Sequence, residues 1–249
     1  MNKNLKLLKI YEALRDEVDK LEFSAPVEKI YNPLAYAWDG AEKYFSLFQS
    51  FNGQGKIIFL GMNPGPWGMA QTGVPFGEVE AVKNFLGIKD LKILTPQNQA
   101  SSYKIEGLEC KRSEVSGKRL WSLFKERFGT AQNFFQEHLV LNYCPLLFLT
   151  TGKNNNGLRN LTPDKLKKSE QEKLFAACDK SLAEICEVLD TKFLVGVGNF
   201  SYNRASEALK NSNITITKIL HPSPASPQSN KNWSAVAAQQ LIDSKVWSD

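Results

Sequence analysis

Four short apolar runs constrain the fold of this chain more than any other feature. They are KIIFLGM at 56–62, HLVLNYC at 138–144, KFLVGVG at 192–198 and ITITKIL at 214–220. Runs of this length and composition read as strands buried on both faces. Helical spacing fills the intervals, near 78–86, 120–128, 162–189 and 200–210, and a last helical pattern covers 232–245. Strands alternating with helices imply right-handed crossovers and a covered parallel sheet. The expected architecture is therefore α/β, three layers (α/β/α) around a central four-stranded parallel sheet. Ahead of the first run, residues 1–23 set Leu7, Ile10, Leu14, Val18 and Leu21 on one helical side, and 40–51 set Tyr44, Leu47 and Phe48 on another. The expectation is one domain over 1–249, with helices in 1–55 packed on a core of 56–249. The polar stretch 93–115 shows no period and reads as a loop excursion.

Composition excludes several classes. No run of about 18 apolar residues occurs, so no membrane-spanning helix is expected. The first 23 residues mix charge with leucine and lack a cleavage site, which argues against a signal peptide. A net charge of +5 suits a polyanionic partner without requiring one. Cys110, Cys144, Cys178 and Cys186 form no C-x-x-C pair, so reduced, buried thiols are expected rather than zinc or an iron–sulfur cluster. The expectation is a soluble, cytoplasmic protein.

Ligands of open α/β sheets bind beyond the carboxyl ends of the strands. After the first strand comes GMNPGPWGMAQTGVPFG, residues 61–77, with five glycines and three prolines. Such a segment makes no regular element and fixes a tightly turned loop. After the last strand comes HPSPASP, 221–227, stiffened by three prolines. No lysine stands where a phosphate loop needs it, and the prolines spoil a dinucleotide fingerprint. A rigid cup around a flat ligand is the remaining reading.

The loop GMNPGPWGMAQTGVPFGEV, the segment NYCPLLFL at 142–149 and the segment HPSPASPQSNKNW resemble the single-strand-selective monofunctional uracil-DNA glycosylases. NLTP at 160–163 and VGVG at 195–198 extend the resemblance, which runs from about residue 56 through the last helix. It implies a uracil-glycosylase fold and an enzyme that flips a uracil-type base from DNA and hydrolyses its bond to the sugar. Such a reaction needs a positioned water, donors for negative charge developing on the base, and a pocket for the extruded base.

The resemblance implies roles for particular residues. Asn63, which alone would read as a turn residue before Pro64, matches the position that orients the attacking water. His221 matches the donor to the departing uracil oxygen, and as neutral imidazole it can still donate. Asn142 can accept from uracil N3–H and donate to O4, a pairing cytosine cannot satisfy. Phe76 matches the aromatic on which the base stacks, with backbone donors at Met62. At Gly65 the major uracil-glycosylase family carries a tyrosine that shuts out the thymine methyl. Glycine there leaves room, a water's worth or more, so 5-substituted uracils such as hydroxymethyluracil are expected substrates beside uracil.

The loop of Pro222, Ser223, Pro224, Ala225, Ser229, Asn230 and Lys231 is expected to enter the DNA where the base leaves. Ala225 stands where related chains often carry arginine, which weakens the case for duplex wedging. His138 reads as structural. The motif segments set no lysine beside Asn63 or His221, so no Schiff base and no strand cleavage are expected. Neither metal nor cofactor is expected. The partner is DNA, single- or double-stranded, and the expected state is a monomer in a bacterial cytoplasm, at the nucleoid, or in a eukaryotic nucleus. A glycosylase preferring xanthine or hypoxanthine, or a lesion-binding protein with weak catalysis, are the alternatives.

Overall fold

The computed structural model describes residues 3–152, 157–225 and 227–248. Met1, Asn2 and Ser226, which belong to the N-terminal helix and the His221 loop in the sequence reading, lie outside the described residues. In chain order the elements are α1 (Lys3–Val18), β1 (Lys29–Tyr31), α2 (Pro33–Tyr36), α3 (Trp38–Ser50), β2 (Ile57–Gly61), α4 (Met69–Thr72), α5 (Val79–Asn84), α6 (Val115–Phe128), α7 (Ala131–Glu137), β3 (His138–Asn142), β4 (Leu147–Thr151), β5 (Leu158–Leu161), α8 (Lys168–Leu189), β6 (Phe193–Val197), α9 (Asn199–Ala208), β7 (Thr215–Ile219) and α10 (Trp233–Asp243).

The four apolar runs become β2, β3, β6 and β7, and they form one parallel sheet in the order β3-β2-β6-β7. Helices flank it, as the sequence pattern predicts. On one side α1 packs against α8 and α3, and α8 against α9; elsewhere α6 packs against α5, α7 and α10. Phe59 of β2 sits in the core against Phe124 of α6, their rings 4.7 Å apart, and Phe124 stacks on Phe134 at 4.4 Å. Clusters of this kind bury large apolar area per residue.

Strand β3 lies at a sheet edge, where unpaired backbone groups need partners. Buried Tyr44 of α3 supplies both. Its hydroxyl donates to the Val140 carbonyl and accepts the Val140 N–H, each at 3.0 Å. His138 is likewise a core residue. Trp247 Nε1 donates to its Nε2 at 3.1 Å, and Nδ1 faces the Phe134 carbonyl at 3.1 Å. Burial pushes its pKa down to about 4, so it stays neutral.

The structure adds what the pattern does not carry. β1, β4 and β5 form a second, antiparallel sheet in the order β1-β4-β5. Strands of three and four residues such as KIY and LRNL are too short to show a period. Helix α7 also goes unsignalled, because two adjacent phenylalanines obscure its spacing. Across 93–114 the regular structure is one short 3₁₀ turn at Gly107–Glu109, and α6 opens at Val115. All four cysteines are free and buried.

Candidate active site

Parallel register brings the loops of the two long motifs together. Gly61 pairs with Asn142 at the ends of β2 and β3, and Val197 with Ile219 at the ends of β6 and β7. Hydrogen bonds continue past the strands: Tyr143 N–H to Gly61 O, Cys144 N–H to Met62 O and Gly198 N–H to Ile219 O, all 2.9 Å. The loops thus leave the sheet already fixed to one another. Between them lies a cavity of about 390 Å³ whose lining includes Met62, Asn63, Gly65, Phe76, Asn142 and His221. All six residues that the sequence assigns to base and water contact one space.

Gly61 is the floor of this arrangement. A Cβ there would collide with Asn142 Oδ1 and with the Phe76 ring, so only glycine lets both side chains cross the strand end. Asn142 donates through Nδ2 to Met69 Sδ at 3.1 Å, which holds its amide in one orientation. Phe76 has φ of 51°, a left-handed backbone that costs a β-carbon residue of order 1–3 kcal/mol. Its carbonyl accepts from Trp121 Nε1 at 3.1 Å and from Glu78 N–H at 2.7 Å, and these bonds hold the strained residue in place. Strain kept beside a cavity points to a constraint on where the ring stands.

Asn63 and His221 each have one end tied to the protein. Asn63 Nδ2 donates to the Leu146 carbonyl at 3.1 Å, leaving Oδ1 as an acceptor. His221 Nδ1 accepts from Ser223 N–H at 3.1 Å. With Nδ1 engaged as acceptor, the proton sits on Nε2, the donor nitrogen for a ligand. Burial pushes the His221 pKa down to about 4, so the ring is neutral near pH 7. Gly198, with φ of 92°, lies against the ring; a Cβ there would stand 3.0 Å from His221 Cβ and 3.1 Å from Cδ2.

The Pro222–Lys231 segment is anchored by a residue the sequence did not single out. Arg119 of α6 donates through Nη1 to the Pro222 carbonyl at 2.9 Å and through Nη2 to Asn230 Oδ1 at 3.1 Å. Asn230 Nδ2 in turn donates to the Pro224 carbonyl at 3.0 Å, and Ala225 N–H to Ser223 Oγ at 3.2 Å. Pro224, Ala225, Asn230 and Lys231 are exposed, whereas Pro222 and Ser229 are buried. The Ser229 hydroxyl donates to the His221 carbonyl. Buried members of the loop thus shape it from within, and exposed members form its outer face.

Glu114, Ser116, Asn160 and Thr162 also line the cavity. Asn160 and Thr162 arrive on the β4–β5 hairpin, and NLTP was the signal for them. Glu114 had none, since it closes the irregular stretch. Its carboxyl group lies against the backbone of Gly65 and Gly68, filling the space a Cβ at either would take. The room that Gly65 leaves is therefore occupied by a side chain. Burial, and next the charge of Glu78, push the Glu114 pKa up to about 7, while the Gly117 amide works in the opposite direction.

A carboxyl raised from 4.5 to about 7 binds its proton more tightly when folded. Its contribution falls as pH rises through that interval, and above about 7 the full cost of burying the charge is present. Glu114→Gln removes this cost. The variant is expected to match the parent near pH 4 and to exceed it by roughly 1–3 kcal/mol at pH 8. Chemical denaturation at the two pH values measures this, and an equal difference at both would refute it.

Comparison with known proteins gives concordant findings. Residues 48–242 match the family described as the uracil DNA glycosylase superfamily. A single-strand selective monofunctional uracil DNA glycosylase of Mus musculus is 43% identical over 230 residues, 92% of this chain and 80% of the relative. The Bos taurus protein of the same name is 42% identical over 230 residues, 92% of this chain and 82% of its own. A crystal structure of SMUG2 from Pedobacter heparinus superposes with a TM-score of 0.66 at 15% identity, covering 95% of this chain and 97% of that one. At that identity the likeness speaks to the fold.

Proposed function

Because the chain belongs to the uracil DNA glycosylase superfamily, in its single-strand selective monofunctional branch, we infer that it is a base-excision-repair enzyme. It hydrolyses the N-glycosidic bond of uracil in DNA and leaves the strand uncut. The observation that carries this reading is the polarity around one cavity: an Asn63 oxygen free to accept, a His221 nitrogen free to donate, and an oriented Asn142 amide.

In this reading the extruded uracil stacks on Phe76, with Met62 backbone beside it. Asn142 accepts from N3–H and donates to O4. As the bond to the sugar breaks, negative charge grows on the base, and the His221 Nε2–H donates to O2. A neutral donor in a water-poor cavity stabilises that charge because it is already oriented. Asn63 Oδ1 accepts from the attacking water and aims it at the cationic sugar carbon. An amide is too weak a base to deprotonate water, which the reactive sugar cation does not require. No lysine is among the described residues lining the cavity, in keeping with hydrolysis rather than Schiff-base chemistry.

Pro224, Ala225, Asn230 and Lys231 face the DNA in this reading, and Pro222, Ser223 and Ser229 hold the loop that carries them. Gly65 itself presents no side chain to a C5 substituent, although the Glu114 carboxyl group fills the space beside it, and 5-substituted uracils are read as further substrates. The chain works as one domain, and a single copy supplies the whole cavity, so a monomer suffices. Among the described residues no helix is long and apolar enough to cross a membrane. The enzyme acts where DNA is, at a nucleoid or in a nucleus.

End-labelled oligonucleotides carrying one uracil, hydroxymethyluracil, xanthine, hypoxanthine or thymine test the reading. Strand breaks at uracil only after alkali are expected. Breaks without alkali would refute the monofunctional assignment, and no abasic site on any substrate from folded protein would favour lesion binding.

A further inference from the structure

We propose that Arg112 binds a backbone phosphate of the DNA strand beside the flipped nucleotide, presented by a stacked platform of Trp67 and Tyr103 on the rim of the cavity. The inference rests on the proposed function, which makes the ligand a uracil-containing strand. It adds a contact outside the base cavity and outside the His221 loop.

Trp67 stands in the glycine- and proline-rich loop, yet the base and water chemistry leaves it without a task. Its ring stacks on Tyr103, with centroids 5.2 Å apart and planes 10° from parallel. The Arg112 guanidinium lies over the same ring, its central carbon 3.7 Å from the centroid. Buried Gln71 ties the two loops that carry these residues. Its Nε2 donates to the Pro66 and Lys104 carbonyls, each at 3.0 Å, and its Oε1 accepts from Glu106 N–H at 2.8 Å. Tyr103 is fixed as well: its hydroxyl donates to the Leu158 carbonyl at 2.9 Å, and its carbonyl accepts from the Tyr31 hydroxyl at 3.1 Å. The platform borders the cavity, because Pro66, which precedes Trp67, and Glu114, two residues after Arg112, both line it.

What this platform holds is an unspent donor. Arg112 is exposed, and among the described residues its guanidinium makes no hydrogen bond or ion pair. The indole takes one face of the group and leaves the N–H edge, the fork that fits a phosphate. Stacking also removes side-chain freedom before the ligand arrives, so less is lost on binding. Lys104 and Lys111 are exposed cations of the same stretch; its exposed acids, Glu106 and Glu109, pair with neither of them nor with Arg112 among the described residues. A phosphate stands at every nucleotide whatever the sequence, which suits an enzyme that must accept its base in any context. The segment 222–231 carries one cation, Lys231, with alanine at 225, so Arg112 supplies positive charge that this loop lacks.

The test uses Arg112→Gln, which keeps most of the length and removes the charge, in single-turnover assays on single-stranded oligonucleotides with one uracil. A companion set replaces one phosphate at a time, on either side of the uracil, by a neutral methylphosphonate. R112Q is expected to raise the half-saturation concentration about tenfold, to keep the saturating rate within about twofold, and to reduce the salt slope of log affinity by about 0.7. One methylphosphonate position should cost the unsubstituted protein about tenfold and R112Q less than about twofold, which assigns that phosphate to Arg112. A scan with no position whose cost disappears in R112Q would overturn the proposal and leave Arg112 as a brace or a stacking face for a base. An unchanged half-saturation concentration, or a loss confined to the saturating rate, would overturn it too. A flat scan in the unsubstituted protein decides against it whatever the variant does, and with uracil still excised it leaves the glycosylase reading intact. No excision of uracil at all would remove both.

Discussion

Replacing His221 by alanine is expected to lower kcat for uracil excision by roughly 10²–10³-fold, with KM changed only a few-fold. The donor acts on charge that exists only as the bond breaks, so its loss appears in the chemical step rather than in base binding. The pH dependence sharpens the test. Burial holds the imidazole pKa down at about 4, so the ring is neutral from pH 6 to pH 8 in the unsubstituted protein. The defect of His221→Ala should therefore be equally large at both pH values. If catalysis instead needed the imidazolium, the unsubstituted enzyme would lose activity as pH rose and the defect would shrink. Single-turnover rates at pH 6 and pH 8 decide between the two.

Gly61→Ala is expected to lower kcat/KM on uracil by about 100-fold or more, although the substitution adds one methyl group outside the reacting centre. The added Cβ meets both the Asn142 oxygen and the edge of the Phe76 ring. Neither neighbour is free to yield: the Asn142 amide is held by Met69 Sδ, and the Phe76 backbone by Trp121. One or both must leave the position that reads and stacks the base. The accompanying loss of stability should be of the overpacking kind, about 1–3 kcal/mol, which thermal melting measures. A Gly61→Ala protein with parental kcat/KM would show that Asn142 and Phe76 do not have to stand where the structure has them.

Much of this was legible in the residues. KIIFLGM, HLVLNYC, KFLVGVG and ITITKIL became the four parallel strands, because buried strands need short apolar runs and little else matches that pattern. Asn63, Phe76, Asn142 and His221 were singled out by the family resemblance of their segments, and the structure brings all four to one cavity, Asn142 from the end of β3 and the others from the loops that follow β2 and β7. The second sheet was not legible, since β1 and β5 are held by pairing to β4 rather than by any periodicity of their own. Arg119 gave no signal either, lying 103 residues before the Pro222 carbonyl it holds.

The sequence by itself determined the strand–helix alternation, the rigid loops and the residue types offered at the strand ends. These are local properties, set by side-chain period and by the backbone limits of glycine and proline. Tertiary structure alone decided how those residues are used. The Ser223 amide selects the His221 tautomer, the Leu146 carbonyl turns the Asn63 oxygen outward, and the Phe76 backbone is held at positive φ by an indole from α6. It also decided that the space beside Gly65 belongs to a carboxyl group from a distant helix. Hydrogen-bond polarity and the filling of space depend on which distant groups meet, and that is fixed only when the sheet register brings the loops together.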